Sequence, residues 1–474
     1  MHLYRTGVYG GKNCAGLWHR EISNCLQSLG FISLVNLESV FLYQQGTEVL
    51  IVGLYVDDAE CFLNSSHLAQ WFQDKMKKDF NVKFLGRVRW FLGQEIIYDD
   101  EKDTTTLSLR TYIESVAKKF GLDGTRKPTT PMEEDILSSE KPETEEDIRF
   151  MKKAPYLELL GCLGWVRQNV GPQYGVHFHK LAAVASRPAP THWKKLKRVM
   201  STVYHERHLG LTIHGHRSTR VRDEDVPVLE HTKASDVYIT FDANHGSKES
   251  SYTHVCSQLY LCKVCIADVS KVIKLSATST AEAEMCAMYE ACKQAVFIKK
   301  VLEELRLPID TVPIYGDNQA ANTIAQQDHP SRAQRHWRIR ADFIQDLVRK
   351  QIVSVHKIDS TDNPADNGTK VVYAYQWQSF SRYMVGAPPK FIHGTDVNLR
   401  YQAKLAKQSK KSTLTKNRDD GSTHTALTEG QKPDSLLGPP TAAKHDREEV
   451  IESAPPHSKS IKSPIPTGAQ KKKK

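Results

Sequence analysis

The sequence has no long hydrophobic run. No stretch approaches the roughly eighteen consecutive apolar residues that a membrane-spanning helix requires. The opening residues, Met-His-Leu-Tyr-Arg-Thr-Gly, are also not followed by the apolar segment of a secretory signal peptide. We therefore expect no membrane insertion, and we place the protein inside the cell, with cytoplasm and nucleus both open.

Cysteine is sparse, with nine residues scattered through 474. This usage predicts a reduced intracellular protein rather than a disulfide framework. Cys262 and Cys265 form the one C-x-x-C motif, and no second pair follows at the spacing of a structural zinc site. We interpret both residues as strand thiols without a metal or redox role.

The net positive charge is also small outside the end of the chain. Residues 401–474 contain 15 Lys and Arg against 8 Asp and Glu, a net +7 that leaves only +3 of the total +10 for residues 1–400. Any nucleic-acid binding must therefore depend on local patches rather than on global charge. The Pro-, Ser- and Lys-rich end offers little apolar surface to bury, which predicts disorder.

Four carboxylates in the second half of the chain carry the strongest chemical signal. Asp242 ends an alternating, strand-like run, and Glu284 lies early in a long helical pattern. Asp317 ends a short apolar stretch, and Asp366 follows a loop rich in Asp, Asn and Pro. Clustered acids are costly unless cations neutralise them, and Mg²⁺ prefers carboxylate oxygens. Two such ions can clamp the attacking and leaving oxygens of a phosphodiester, so the pattern suggests a nuclease.

Each acid also has a simpler interpretation: a strand-end acid for Asp242, a helix N-cap for Asp317 and a loop acid for Asp366. Within the helical pattern, Ser279 and Glu282 have the spacing of a capping box, which gives Glu282 a local role in reaching back to the cap N–H. Glu284 instead shares a helical stripe with apolar residues. The stripe consists of Ala287, Ala291, Ala295, Ile298 and Leu302.

A second acidic motif, Asp57-Asp58, follows an apolar run over residues 48–56 that predicts a buried strand. Two acids at the tip of a hydrophobic hairpin form a metal-binding corner in palm-type polymerases. A solvated hairpin turn is the alternative, because Asp is a routine turn residue.

Several motifs in order make the chain resemble the Pol polyprotein of copia-type long-terminal-repeat retrotransposons, from about residue 3 to 380. The front contains the Y-V-D-D box of the family's reverse transcriptase at residues 55–58 and the F-L-G segment near residue 91. The back resembles its ribonuclease H domain. The matching segments are Tyr238–Ala243, Ser279–Met285, Ile314–Ala321 and Thr361–Lys370.

The resemblance implies an α+β and α/β chain. The expected parts are a partial reverse-transcriptase palm and thumb, a helical connection, a ribonuclease H-like domain with a five-stranded mixed sheet, and a disordered basic tail. We set the reverse-transcriptase part at 1–135, the acidic linker, helical thumb or connection and basic connector at 136–234, the ribonuclease H-like domain at 235–372 and the extension at 373–474. Within the second part, the acidic, Pro-containing stretch 136–150 is interpreted as a linker or exposed loop.

The resemblance also implies functional residues. Asp242, Glu284, Asp317 and Asp366 would bind two Mg²⁺ ions, or Mn²⁺, and cleave RNA in an RNA–DNA hybrid. Departures from the family pattern at Asn244, Met285, Asn367 and Gly368 remove no metal ligand. The family's third polymerase Asp would precede the first residues of this chain. Asp57 and Asp58 alone should therefore support no polymerase activity unless an N-terminal Pol part is supplied as a partner.

Two basic runs are candidates for nucleic-acid contacts, and each could equally be a solvated helix face. One contains Lys194, Lys195, Lys197 and Arg198, and the other contains Arg335, His336, Arg338 and Arg340. For His336 a structural role is preferred to one in product release. For the whole chain, the alternative to an active nuclease is a catalytically inactive transposon relic or a nucleic-acid-binding protein without turnover.

Overall fold

The computed structural model describes six ranges of the chain, together with the backbone of one further strand. These are residues 13–133, 140–215, 237–245, 252–274, 277–327, 337–387 and 457–462. Among them no helix combines the length and hydrophobicity that crossing a membrane needs. Most of the predicted disordered tail lies outside these ranges, as do Arg335 and His336.

The front part is a twisted antiparallel sheet packed against two helices. Its elements are α1 (Cys14–Ser28), β1 (Ile32–Ser33), β2 (Val40–Gln45), β3 (Glu48–Tyr55), β4 (Asp58–Leu63), α2 (Ser66–Asp79) and β5 (Lys83–Phe84). A strand from the far end of the chain, β15 (His457–Lys462), pairs between β4 and β5.

Helix α2 shows why this part folds as it does. The side chain of Ser65 accepts a hydrogen bond from the Leu68 N–H at 3.3 Å, which satisfies one of the free amides at the start of the helix. Leu68, Phe72 and Met76 then recur every four residues on one buried face. They join buried side chains of α1 and the sheet in the core of the front part.

The middle part combines a four-stranded antiparallel sheet with five helices. The strands are β6 (Trp90–Phe91), β7 (Gln94–Asp99), β8 (Thr104–Ser108) and β9 (Leu211–His214). The helices are α3 (Arg110–Phe120), α4 (Glu145–Lys153), α5 (Tyr156–Asn169), α6 (Gly175–Ala183) and α7 (Pro190–His205). Their buried faces share one core, which includes Leu159, Leu163, Leu196 and Val199.

The acidic stretch at 136–150, interpreted as a linker or loop, is helical in its second half. Thr144 accepts from the Asp147 N–H at 3.0 Å, and the Asp147 carboxylate accepts from the Thr144 N–H at 3.2 Å. This capping box starts α4, and three acids in the first turn favour the positive end of the helix dipole. The acids that suggested a loop therefore begin a helix.

The last part contains the predicted five-stranded mixed sheet. Its strands are β10 (Val237–Asn244), β11 (Thr253–Leu261), β12 (Val264–Ile273), β13 (Val312–Gly316) and β14 (Val353–Lys357), in the order β12-β11-β10-β13-β14. The β10-β11-β12 pairs are antiparallel, and the β10-β13-β14 pairs are parallel. The prediction of the mixed sheet and of the mixed α and β class is confirmed.

Four helices surround this sheet: α8 (Thr280–Glu304), α9 (Gln319–Ala325), α10 (Arg338–Arg349) and α11 (Ala374–Met384). The predicted stripe of α8, from Ala287 to Leu302, is buried in the core. Helix α11 begins beyond the proposed domain end at residue 372, and its Trp377 and Phe380 are buried. Trp377 packs in the core of the middle part, whereas Tyr383 and Met384 pack with Tyr238 and Tyr260 of this sheet, so α11 contacts both parts.

Candidate metal centre

Two of the four acids come together through parallel strand pairing. Asp242 is on β10, and Asp317 follows β13 directly. The two strands pair in parallel with Ile239 opposite Ile314. Three residues further along each strand, the same register brings Asp242 beside Asp317, at the carboxyl end of β13.

The third acid lies in a short 3-10 turn that, with its flanks, we call the Asp366 turn (residues 363–370). Asn363 caps the turn and donates from Nδ2 to the Phe241 carbonyl of β10 at 3.0 Å. Two further buried donors hold it from β11 and β12: Gln258 Nε2 to Pro364 O at 3.3 Å, and Ser270 Oγ to Gly368 O at 2.7 Å.

These elements bring three acids to one point. One carboxylate oxygen from each of Asp242, Asp317 and Asp366 lies within 4.8 Å of the others. Asp242 and Asp366 are buried, and Asp317 is half-buried. Hard oxygen donors at this spacing, at one edge of a sheet, suit a divalent cation that keeps part of its water shell.

Glu284 reaches the same region from α8 but lies outside the tight group of three. Its carboxylate accepts a hydrogen bond from the Ala243 backbone. Burial, followed by the charges of Asp242 and Asp317, raises the pKa of Glu284 well above its usual value. Its Oε2 atom is buried and has no hydrogen-bond partner among the described residues. A cation would satisfy this oxygen, so the four residues fit a shared metal site.

Burial also perturbs the other acids. Burial raises the pKa of Asp242, while Lys370 and Thr369 partly offset this effect. Burial and the charge of Asp242 raise the pKa of Asp366 to about 7. Without a cation these buried acids therefore bind protons more strongly than free carboxylates do, and a bound divalent ion would compete with those protons.

Two residues of the site were given no role in the sequence analysis, although they belong to a matching segment. The Thr369 hydroxyl donates to Asp242 Oδ2, and Lys370 Nζ lies 2.8 Å from Asp366 Oδ1. Although burial opposes it, the charges of Asp242 and Asp366 raise the pKa of Lys370. The available signal was a Thr-Lys pair within four residues of an acid on a tight turn.

Two local interpretations of the helix starts are wrong. Asn318, not Asp317, caps α9, because the Asn318 side chain accepts from the Ala321 N–H at 3.0 Å. Ser279 caps α8 as predicted, but the Glu282 carboxylate accepts from the Thr278 N–H at 2.7 Å instead of from the cap residue. Asp317 and Glu284 are therefore both left without a capping role.

The sequence departures do not disturb the cluster. Met285 is buried in the core on α8, and Asn244 ends β10. Gly368 is required for close approach, because a Cβ there would lie 2.1 Å from Cys256 Sγ on β11. Asn367 is buried.

The acids of the Y-V-D-D box lie on a hairpin in the front part. Tyr55 pairs with Asp58, so Val56 and Asp57 form the two-residue turn, with Val56 at φ +52°. Asp57 is exposed, and Trp18 Nε1 donates to the Val56 carbonyl at 2.6 Å. Within the described ranges, no third Asp, Glu, His or Cys completes a metal-ligand group with these two acids.

The basic candidates are mostly engaged within the chain. Arg198 pairs with Glu133 at 2.7 Å, and Lys197 lies over the Trp193 ring. Lys194 and Lys195 lie on the same helix, and Lys194 is exposed. In the second run, Arg338 pairs with Asp342 at 3.4 Å, and Arg340 lies 5.9 Å from the Tyr289 ring centroid. Among the described residues of the two runs, none forms an ion pair with an acid of the carboxylate cluster.

The cysteine interpretation holds in part. Cys265 is buried on β12, but Cys262 lies in the turn before it with φ +51°. Such positive φ angles suit the two-residue turn that joins β11 to β12. All nine cysteines are free thiols.

Comparisons with known proteins find sequence relatives among retrotransposon Pol polyproteins. The family model for reverse transcriptase (RNA-dependent DNA polymerase) matches residues 2–134. The chain is 25% identical over 368 residues to the retrovirus-related Pol polyprotein from transposon TNT 1-94 of Nicotiana tabacum, covering 77% of this chain. It is 24% identical over 389 residues to that from transposon RE2 of Arabidopsis thaliana, covering 81%. The chain is related to copia-type retrotransposon Pol polyproteins.

The chain spans about a quarter of those relatives, 26% and 25% of their lengths. Two solved structures are also similar. Ribonuclease H1 of Halobacterium salinarum aligns with 27% of this chain and 89% of its own, at 18% identity and a TM-score of 0.20. The foamy viral protease-reverse transcriptase aligns with 77% of this chain and 40% of its own, at 13% identity and a TM-score of 0.40.

Proposed function

We propose that this chain is a retrotransposon-derived reverse transcriptase and ribonuclease H product. Its competent site is the carboxylate cluster, where it cleaves the RNA strand of RNA–DNA hybrids in a Mg²⁺-dependent reaction, with Mn²⁺ as the alternative ion. The observation that carries the proposal is the convergence of Asp242, Asp317 and Asp366 within 4.8 Å, beside the unpaired buried oxygen of Glu284.

The residues of the cluster have different roles in this proposal. Asp242 on β10, Asp317 after the neighbouring strand and Asp366 on the turn would together hold the cation. Thr369 fixes one oxygen of Asp242 and thereby leaves the other for a ligand. Two ions bound there would lower the pKa of an attacking water and stabilise the leaving 3′ oxygen of the RNA. Contacts to the RNA 2′-hydroxyl would select the hybrid over duplex DNA.

The front part is proposed to have no polymerase activity of its own. Asp57 and Asp58 have no third ligand among the described residues, and two-metal phosphoryl transfer needs a carboxylate that bridges both ions. A primer-extension assay on this polypeptide should show no templated synthesis. Synthesis by the purified chain would reject this part of the proposal.

One observation favours an inactive relic as the second candidate. Lys370 already pairs with Asp366, so part of the acid charge is neutralised without a metal. A chain in which Lys370 replaces the cation would bind nucleic acid without turnover.

A cleavage assay separates the two candidates. The purified chain should cut a labelled RNA–DNA hybrid with Mg²⁺, leave duplex DNA intact and lose the activity with EDTA. Asp242→Asn should abolish cleavage while the circular dichroism spectrum stays unchanged. Binding of the hybrid without cleavage under both Mg²⁺ and Mn²⁺ would favour the relic, and cleavage by the Asp242→Asn variant would reject the assigned site.

A further inference from the structure

The Asp366 turn is held from outside its own domain as well as from inside. Asn367, next to Asp366, is 1% exposed, and its Nδ2 donates to the backbone carbonyl of Gln173 at 3.1 Å. Gln173 lies 194 residues earlier, in the 3-10 turn Pro172–Tyr174 between α5 and α6. We call α5, this turn and α6 (residues 156–183) the connection segment.

The connection segment is anchored to the ribonuclease H-like sheet by a second contact. Arg167 of α5 forms an ion pair with Asp268 of β12 at 2.6 Å, and the two side chains are only 18% and 9% exposed. A paired charge at this depth holds its geometry closely, because separating the partners leaves an uncompensated buried ion.

The start of α6 also packs closely against β12, on the way to the metal centre. A Cβ on Gly175, at the start of α6, would come within 2.9 Å of Asp268 Oδ2 and 3.5 Å of the Ser270 side chain. Ser270 itself donates to the Gly368 carbonyl of the Asp366 turn. The connection segment thus reaches the turn by two routes, directly through Asn367 and indirectly through β12.

The other hydrogen bonds of the Asp366 turn are made to the sheet rather than to the connection segment. Asn363, Gln258 and Thr369 tie it to β10 and β11, which carry or neighbour Asp242. These bonds fix the turn relative to the sheet. The hydrogen bond from Asn367 to Gln173 instead fixes a chain neighbour of Asp366 relative to the connection segment. A buried amide held in this way sets the direction of the neighbouring side chain.

We infer that Asn367 and the connection segment position Asp366, so that the metal centre is complete only when residues 156–183 are docked. Asn367 acts through Asp366 and is a positioning residue. The inference rests on the proposed function for the identity of the bound ion, and it adds that metal affinity depends on a contact made outside the ribonuclease H-like domain.

The test compares two buried amides in the full chain. Asn367→Leu removes the donor with little change of volume. Gln345→Leu is the matched control, because Gln345 also donates a buried side-chain amide to a backbone carbonyl, that of Ile324, at 2.9 Å. Mn²⁺ binding is followed by electron paramagnetic resonance, and thermal melting is recorded for each variant.

Asn367→Leu should weaken Mn²⁺ binding about tenfold, the scale of losing a group that orients a ligand, and should lower the melting temperature about as much as the control does, because each variant leaves a buried carbonyl without its donor. Gln345→Leu should lower the melting temperature and leave Mn²⁺ affinity unchanged. Wild-type affinity in folded Asn367→Leu, or equal weakening in both variants, would overturn the inference.

A second pair keeps the test decisive if Asn367→Leu does not fold. Gly175→Ala should push α6 from β12, whereas Gly161→Ala in the same segment has nothing within 4 Å of the new Cβ. Hydrogen exchange in residues 363–370 should speed up in Gly175→Ala and not in Gly161→Ala, and equal exchange in both would contradict the positioning role. If the wild-type chain binds no Mn²⁺, the proposed function fails, while this exchange result still decides the inference.

Discussion

Two acidic sites in this molecule contain the same residue type and differ in how they are built. Asp57 and Asp58 are adjacent in sequence, lie on one hairpin and include an exposed side chain. Asp242 and Asp366 come from segments more than a hundred residues apart and are buried in one cluster. The comparison shows that a local acid pair needs only a turn, whereas a buried acid cluster needs a compensating charge.

The buried cluster has a clear electrostatic cost. Burial raises the pKa of Asp242, Glu284 and Asp366, and the charge of Asp242 raises the pKa of Glu284 and of Asp366 further. A fold that maintains such mutual repulsion without a function would gain stability from apolar replacements. We therefore place the chemistry at the cluster.

The largest expected effect contrasts one acid from each site. Asp317→Asn removes a ligand from the cluster and should lower hybrid cleavage at least about a thousandfold, because metal stabilisation of the transition state supplies several kcal/mol. Asp57→Asn should leave the cleavage rate unchanged. Initial rates with a labelled hybrid at saturating Mg²⁺ provide the measurement, and a similar loss in both variants would break the contrast.

Sequence reasoning recovered what depends on local pattern. The apolar run over residues 48–56 predicted β3, and the four-residue spacing of α8 predicted the buried face that contains Glu284. Capping chemistry identified Ser279 as the start of α8. Each of these follows from residues close to one another in the chain, where side-chain spacing and backbone geometry are directly linked.

What depends on contacts between distant segments was not recovered. The Thr369 and Lys370 contacts with the acids, and the Asn367 bond to Gln173, arise only when the Asp366 turn packs against the sheet and the connection segment. The role of Glu282 was also wrong in detail, since Thr278 offered both a backbone and a hydroxyl donor one residue earlier. No periodicity in the sequence encodes such pairings.

A pH experiment compares how an acid from each site affects the free energy of unfolding. The pKa of Asp366 is raised to about 7 in the folded state, so the folded chain keeps a proton that the unfolded chain releases near pH 4. Without metal, the contribution of this group to stability should therefore be greatest below pH 4 and fall between pH 4 and pH 7, with a loss of about 2 kcal/mol between pH 5.5 and pH 8.

The measurement is urea unfolding in EDTA at pH 5.5 and pH 8, followed at the ribonuclease H-like domain by hydrogen exchange. Asp366→Asn should flatten the dependence, because the amide does not titrate, whereas Asp58→Asn should leave it unchanged. Added Mg²⁺ should stabilise the domain more at pH 8 than at pH 5.5, since binding displaces the proton. The raised pKa would be contradicted if the free energy of unfolding in EDTA rises with pH and has the same pH dependence in Asp366→Asn as in the wild-type chain.

The smallest effect concerns the hairpin of the front part. Val56 has φ +52°, a left-handed conformation that costs a β-branched residue about 1–2 kcal/mol, while glycine adopts it freely at an entropic cost of about 0.5–1 kcal/mol. Val56→Gly should therefore stabilise the hairpin by about 0.5 kcal/mol, seen as slower hydrogen exchange in residues 48–63. Gln45→Gly, a control at an ordinary strand position of β2, should destabilise its strand pair instead. If Val56→Gly speeds exchange as Gln45→Gly does, the Val56 side chain stabilises the hairpin by more than its backbone strain destabilises it. The turn that contains Asp57 would then be more stable than the comparison with the buried cluster implies.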